Sequence, residues 1–388
     1  MLVMVGMFSV LGFAVGIDAF FIPFVKQAFG ISNTMSYMVF MATYASFVLF
    51  SVPAGMLLKR IGYKGGMVTA FILLAVSFAL IGLASSFFSY AVFLGALFVN
   101  GIGRVMLNTA VNPYVTILGP QESAARRISI MGISNKISYA AASLILAVFL
   151  DLSDVRMEDT VLPFYLIACI VFLFGIASRF APLPELEAEG EDSPQAPVPG
   201  SRKATDIFRY PHLVWGVLAY FFYTGVEVTA LGSINHYASE LGLADPQNYV
   251  WLTSAAMVVG YLLGVVLIPK TISQLTALRL SVLAGLLFCM LLVAVPARLS
   301  IWFLALLGLA NALILPAIWP LALAGLGPLT KLGSGLLVTG GLGGGIIPLL
   351  YGLATDALHS SQSAYLVCLP AYLVILYFAF RGYKPKKY

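Results

Sequence analysis

Apolar residues fill the chain in runs of about 20, the length that crosses a hydrocarbon core as a helix. We read twelve such runs, over 2–25, 35–58, 66–84, 88–117, 129–150, 161–181, 211–236, 248–268, 275–295, 299–326, 332–354 and 361–380. A membrane barrel would show alternating segments of about ten residues instead, so the pattern predicts an all-α membrane protein. One stretch breaks the rhythm. Between 182 and 210, Glu185, Glu187, Glu189, Glu191 and Asp192 are followed by Arg202, Lys203 and Arg209, with prolines interspersed. That is the composition of a solvated linker. It divides the chain into a six-helix half over 1–181, a linker over 182–210 and a second six-helix half over 211–388.

The polar residues inside the runs echo each other between the halves. Phe13-Ala-Val-Gly16-Ile-Asp18 in the first run returns, altered, as Phe222-Tyr-Thr-Gly225-Val-Glu227 in the seventh. An acid in hydrocarbon costs about 2.5–3.5 kcal/mol on insertion scales, so both are read as lining one central polar path. The exit from the fourth run, Asn112-Pro113 to Gly119-Pro120 and then Arg126-Arg127, is echoed by Trp319-Pro320 to Gly327-Pro328 and then Lys331. Parallel halves with a binding site between them fit this duplication.

Within the fourth run Asn100, Arg104, Asn108, Asn112 and Thr116 recur at intervals of four. On a helix they form one polar stripe, which must face protein or water rather than lipid. The bland alternative is hydrogen-bonded glue between helices. Neutral amides and aromatic faces suit the hydroxyls and apolar ring faces of a sugar. Tyr220, Tyr223, Thr224, Glu227 and Asn235 in the seventh run, Asn311 and Trp319 in the tenth, and Asn135, Ser138 and Tyr139 in the fifth extend that set. Asp18 is the candidate for coupling an ion, either as a proton carrier or as a sodium ligand, against the alternative of a permanently paired structural acid. Glu227 is read either as a substrate acceptor or as a partner of Arg104. Arg104 neutralises an acid or meets an anionic substrate, and Lys136 either reaches the site or snorkels to the surface. Gly340, Gly341, Gly343, Gly344 and Gly345 serve close packing or bending of the eleventh run.

Composition sharpens this picture. The chain is 61% hydrophobic and 10% charged, against about 25% charged in soluble domains. With the N-terminus inside, 16 of the 21 basic residues fall on the inner side. Only Lys26, Arg156 and Arg298 fall outside, while Arg104 and Lys136 stay within runs. Both termini are therefore expected in the cytoplasm, and the net charge of +5 reflects topology rather than nucleic-acid binding. The segment Met1 to Ala14 lacks a basic start and a small-residue cleavage site, so it is read as a first span and not a signal peptide. Cys169, Cys289 and Cys368 lie in apolar runs without metal-like spacing, and inert thiols are expected. His212, His236 and His359 are scattered and no serine or cysteine has an evident base, which argues against an intramembrane enzyme or a receptor reading.

Gly55-Met-Leu-Leu-Lys59-Arg60-Ile-Gly62-Tyr-Lys64 resembles the loop signature of the major facilitator superfamily, with Lys59 where that signature has an acid. Gly55, Arg60, Gly62 and Lys64 are the matching gating-loop positions. The place after the eighth run, Pro269-Lys270-Thr-Ile-Ser, has lost the pattern. A closer resemblance runs through Leu107-Asn-Thr-Ala-Val-Asn-Pro-Tyr-Val-Thr-Ile-Leu-Gly-Pro120. It continues in Phe221-Phe-Tyr-Thr-Gly-Val-Glu227, and in Thr330-Lys-Leu-Gly-Ser-Gly335 with Gly343-Gly-Gly-Ile-Ile-Pro348. These segments are similar to the fucose-galactose-hexose symporter family. The resemblance implies twelve transmembrane helices in the major facilitator fold and sugar uptake coupled to a cation, proton or sodium, with no other cofactor. It implies that Asp18 is the coupling acid, with any sodium held near it, and that Asn135 matches a family asparagine. Asn108 stands where the fucose branch has a glutamate, so a two-acid relay does not carry over. With Glu227, it looks more like the glucose/galactose branch.

The reading is then a symporter importing a hexose, with Asn108, Asn112, Asn135, Glu227, Arg104, Tyr223, Asn311 and Trp319 as its binding set. The alternative is a facilitator or exporter of an amino sugar, a sugar acid or a drug. The expected setting is a bacterial inner membrane, with lipid and a small sugar as partners and a monomer sufficient.

Overall fold

The computed structural model describes residues 2–150, 156–184 and 204–385, so most of the 182–210 linker, including Arg202 and Lys203, lies outside the described residues. Within them every element is helical. The first half comprises α1 (Leu2–Phe29), α2 (38–61), α3 (63–85), α4 (Tyr90–Ile117), α5 (Ala124–Ala147) and α6 (Val161–Phe180). The second comprises α7 (Pro211–Glu240), α8 (Val250–Leu267), α9 (Gln274–Ala294), α10 (Ala297–Leu323), α11 (Thr330–Leu358) and α12 (Ser361–Gly382). The twelve helices fall on the twelve apolar runs. Ten helical stretches are long and apolar enough to cross a membrane. Met38–Ser85 is one of these and is two helices meeting at Gly62, whose φ of 71° breaks the spiral. The polar α5, with Arg126, Arg127 and Lys136, completes the set.

Each half packs on itself first. α1 lies against α5, and α4 against both helices that meet at Gly62, while α9 lies against α10 and α7 against α11. Between the halves, α5 packs on α8 and α2 on α11. The face carrying the start of α1 and the ends of the linker, here called the linker face, is closed at both of these seams. On the α2–α11 side the Gly55 and Gly335 backbones meet, since a Cβ on Gly335 would fall 3.3 Å from the Gly55 Cα. On the α5–α8 side the Tyr261 ring fills the place of a side chain at Gly132. Lys59 and Arg60 point to solvent, and Lys64 donates to the carbonyl of Ala181 at 2.8 Å.

The opposite face differs. There Asp356 at the end of α11 accepts from Asn33 Nδ2 at 2.8 Å and from the Thr34 backbone at 2.9 Å, which ties α11 to the start of α2. Beside this tie opens a vestibule of about 1150 Å³ lined by residues of both halves, among them Phe20, Lys26, Ser143, His236 and Asn248.

Both uses of the glycine run are realised in α11. The helix breaks into a 3-10 turn over Gly340–Leu342. At Gly343 the α7 backbone approaches so closely that a Cβ would sit 1.7 Å from the carbonyl oxygen of Phe221. Gly343→Val is expected to lower stability by about 1–3 kcal/mol, the usual cost of overpacking. The drop is read as a lower thermal midpoint in detergent. Gly95→Ala, whose Cβ meets nothing within 4 Å, should leave the midpoint unchanged.

Candidate functional site

The polar stripe of α4 faces inward over most of its length. Asn100, nearest the vestibule face, donates to Ser77 Oγ of α3 at 2.9 Å and acts as glue. One turn on, Arg104 Nη1 meets Asp18 Oδ2 of α1 at 2.5 Å, and both side chains are 1% exposed. The Asn108 amide donates to the Arg104 carbonyl at 3.0 Å, and Asn112 donates to Asn108 Oδ1 at 3.1 Å. Thr116 ends the stripe by bonding the Asn112 carbonyl at 2.9 Å. Side chains that satisfy one another along the helix keep the row rigid and leave their remaining acceptors for the interior.

A second ion pair lies on the other wall. Lys136 Nζ of α5 is 2.7 Å from Glu227 Oε1 of α7. This bears on two alternatives that the sequence left open. Lys136 does not snorkel to the surface but is 7% exposed, and the partner of Glu227 is Lys136 rather than Arg104. The reason is geometric: Arg104 shares a half with Asp18 and is consumed by it, while α5 and α7 face each other across the interface. Neither cation in the interior is left free.

Between the two pairs is a cavity of about 90 Å³, lined by Arg104, Asn108, Asn112, Asn135, Lys136 and Glu227 together with Tyr44, Tyr220, Thr224, Tyr261 and apolar side chains. Asn135 also ties α5 to α1 by donating to the Phe8 carbonyl at 3.0 Å. Three candidates stand outside that lining. Tyr223 is wholly buried in α7, and Trp319 packs edge-on against Tyr220 with ring centroids 6.0 Å apart. Asn311 accepts from the Tyr372 hydroxyl at 2.8 Å in the α10–α12 contact. Asn235, further along α7, accepts from the Val250 backbone at 2.8 Å and anchors α8. Of the gating-loop positions, Gly55 forms the linker-face seam and Gly62 the turn.

Asn112 Oδ1, on the cavity wall, has no hydrogen-bond partner among the described residues, and neither do the Tyr139 and Tyr223 hydroxyls or Trp319 Nε1 behind that wall. An acceptor left unpaired in a buried wall costs about 1–3 kcal/mol, so Asn112 offers a polar occupant a place to bond. Tyr44 and Tyr261 are wall residues that sequence reasoning missed. Their only signal was a tyrosine inside an apolar run, which interfacial belts also give.

The Major Facilitator Superfamily profile matches residues 3–347. The chain belongs to that superfamily. It is thus a membrane transporter and not an enzyme. It is 31% identical to a glucose/galactose transporter of Brucella abortus over 97% of this chain and 92% of that one. It is 27% identical to the L-fucose-proton symporter of Escherichia coli over 92% and 87% of the two chains. Among solved structures, FucP in the outward conformation superposes with a TM-score of 0.78 at 26% identity over 97% of each chain.

Because removing one partner strands the other charge in a buried site, Lys136→Ala and Glu227→Ala should each destabilise by about 3–5 kcal/mol. The double variant should recover at least half of that loss. Unfolding of the four proteins in one detergent closes the cycle, and strict additivity would show that the two groups are not coupled.

Proposed function

We propose that the chain imports a neutral hexose of the glucose/galactose class, driven by a cation, through alternating access of its two halves to the central cavity. One observation carries this reading. Both interior cations are already spent, Arg104 on Asp18 and Lys136 on Glu227, so the site offers amides, hydroxyls and aromatic faces with no net charge. A polyhydroxyl ring matches those groups, whereas a sugar acid would find no free cation. The names of the relatives support the same substrate class.

Asn108 and Asn112 offer donors and acceptors in a fixed row, and Asn135 extends it from α5. Glu227 keeps Oε1 on Lys136 and accepts from sugar hydroxyls with its second oxygen. Tyr220, with Trp319 behind it, presents an aromatic wall. The coupling ion is read as a proton at Asp18. A sodium ion there would sit beside the Arg104 guanidinium and be repelled by it, whereas a proton neutralises the carboxylate in place. The setting is the bacterial plasma membrane with both termini cytoplasmic, which makes the linker face the inner one. One chain carries both halves, so a monomer suffices.

In proteoliposomes, labelled glucose or galactose should accumulate under an inward proton gradient and not under an inward sodium gradient. Asp18→Asn should abolish accumulation while leaving exchange of sugar across the membrane, and a sugar acid should not compete. Accumulation driven by sodium alone would overturn the ion assignment. Normal accumulation by Asp18→Asn would overturn the role of that residue.

A further inference from the structure

The Asp18–Arg104 pair lies wholly within the first half, on α1 and α4. Rocking of the halves leaves such a pair untouched unless a third group reports the motion to it. Tyr44 of α2 touches both sides. The Arg104 Cζ lies 4.9 Å from the centroid of its ring. Against the same ring lies the backbone of α11 in the other half. A Cβ on Gly344 would fall 2.8 Å from the ring Cζ and 2.9 Å from each Cε, so the α11 backbone rests on the ring. Gly345 approaches the Tyr44 Cβ in the same way, and the ring is 4% exposed. The 3-10 turn at Gly340–Leu342, where α11 is least constrained as a helix, begins one turn away.

We propose that Tyr44 is the positioning residue that couples ion loading at Asp18 to the movement of the second half, an inference that rests on the reading of Asp18 given above. With α11 seated, the ring is held against the guanidinium and keeps it on the carboxylate. When α11 swings away the ring loses that backing, the guanidinium loosens, and Asp18 takes up its ion. The glycines at 344 and 345 are what let the α11 backbone reach the ring. The step is a change in non-covalent contacts only, and the proton comes from solvent.

The test uses wild type, Asp18→Asn, Tyr44→Leu, Tyr44→Phe and Gly344→Ala in proteoliposomes, with glucose accumulation and the pH dependence of glucose exchange as readouts. Tyr44→Leu should lose accumulation, and the exchange it retains should have its half-maximal pH moved upward by about one unit, a tenfold effect on the scale of a desolvated cation–π contact. Tyr44→Phe, which keeps the ring, should restore both. Gly344→Ala should displace the ring and shift the pH profile in the same direction. If Asp18→Asn loses accumulation but Tyr44→Leu and Gly344→Ala match wild type in profile and accumulation, the inference alone falls. If Tyr44→Leu gives no exchange, Gly344→Ala decides: a shifted profile supports the inference and a wild-type one overturns it. If Asp18→Asn accumulates normally, the reading of Asp18 falls and the inference falls with it.

Discussion

A charge in hydrocarbon must be compensated, and this constraint organises the interior. Four ionisable side chains stand near mid-membrane, and they form two pairs of opposite kind. Asp18–Arg104 joins two helices of one half, while Lys136–Glu227 bridges the halves, and Arg104, Lys136 and Glu227 all border the cavity. When the halves separate, only the second pair is pulled directly. Its cost of separation opposes opening until other groups take over its hydrogen bonds. The first pair, by contrast, lies within one half and is not stretched by that separation.

The linker face is closed without an acid in the loop after α2. Where the superfamily signature has an acid the chain has Lys59, and that side chain points to solvent. The seam between α2 and α11 is made by backbone contact at Gly55 and Gly335, with Lys331 over the ring of Tyr63 at 5.1 Å. Small residues let helix backbones approach closely enough for dispersion to hold them in a setting where apolar surface gains nothing from leaving lipid. Such a contact is weaker and less directional than a charged latch. That suits a seam that must open in every cycle.

The architecture was legible in the sequence because the bilayer imposes it: span length, the charged linker and the echo of Asp18 in Glu227 are all local features. The inward stripe of α4 was legible too, since Asn100 to Thr116 recur at helical spacing. What the sequence did not carry was which cation meets which acid. Arg104 was the one partner the sequence offered for Glu227, and only the packing of α5 against α8, which brings α5 to face α7, puts Lys136 there instead. The roles of Asn311 and Asn235 were hidden for the same reason. An amide inside an apolar run looks alike whether it lines the central cavity or bonds, as these do, to a hydroxyl of α12 or the first backbone amide of α8. Tyr44 escaped notice because its importance lies in what stands beside it, a guanidinium from α4 and a glycine backbone from α11, and neither neighbour is near it in sequence.

The two spaces between the halves are unequal, and the inequality sets the direction of access. The vestibule of about 1150 Å³ reaches down from the face opposite the linker, whereas the central cavity holds about 90 Å³. By the measure in which one water needs about 10–15 Å³, the cavity has room for a few waters only. Along α5 the step from chamber to vestibule runs from Lys136 past Tyr139 to Ser143, and along α7 from Glu227 past Leu231 to Asn235, about two helical turns in each case. The barrier on that side is therefore thin and includes the bridging ion pair, while the linker face is shut by helix seams on both sides. On the vestibule face one seam is tied by Asp356 and the other is open. A solute arriving there meets a barrier of about two helical turns, and the Lys136–Glu227 pair is the charged contact within it.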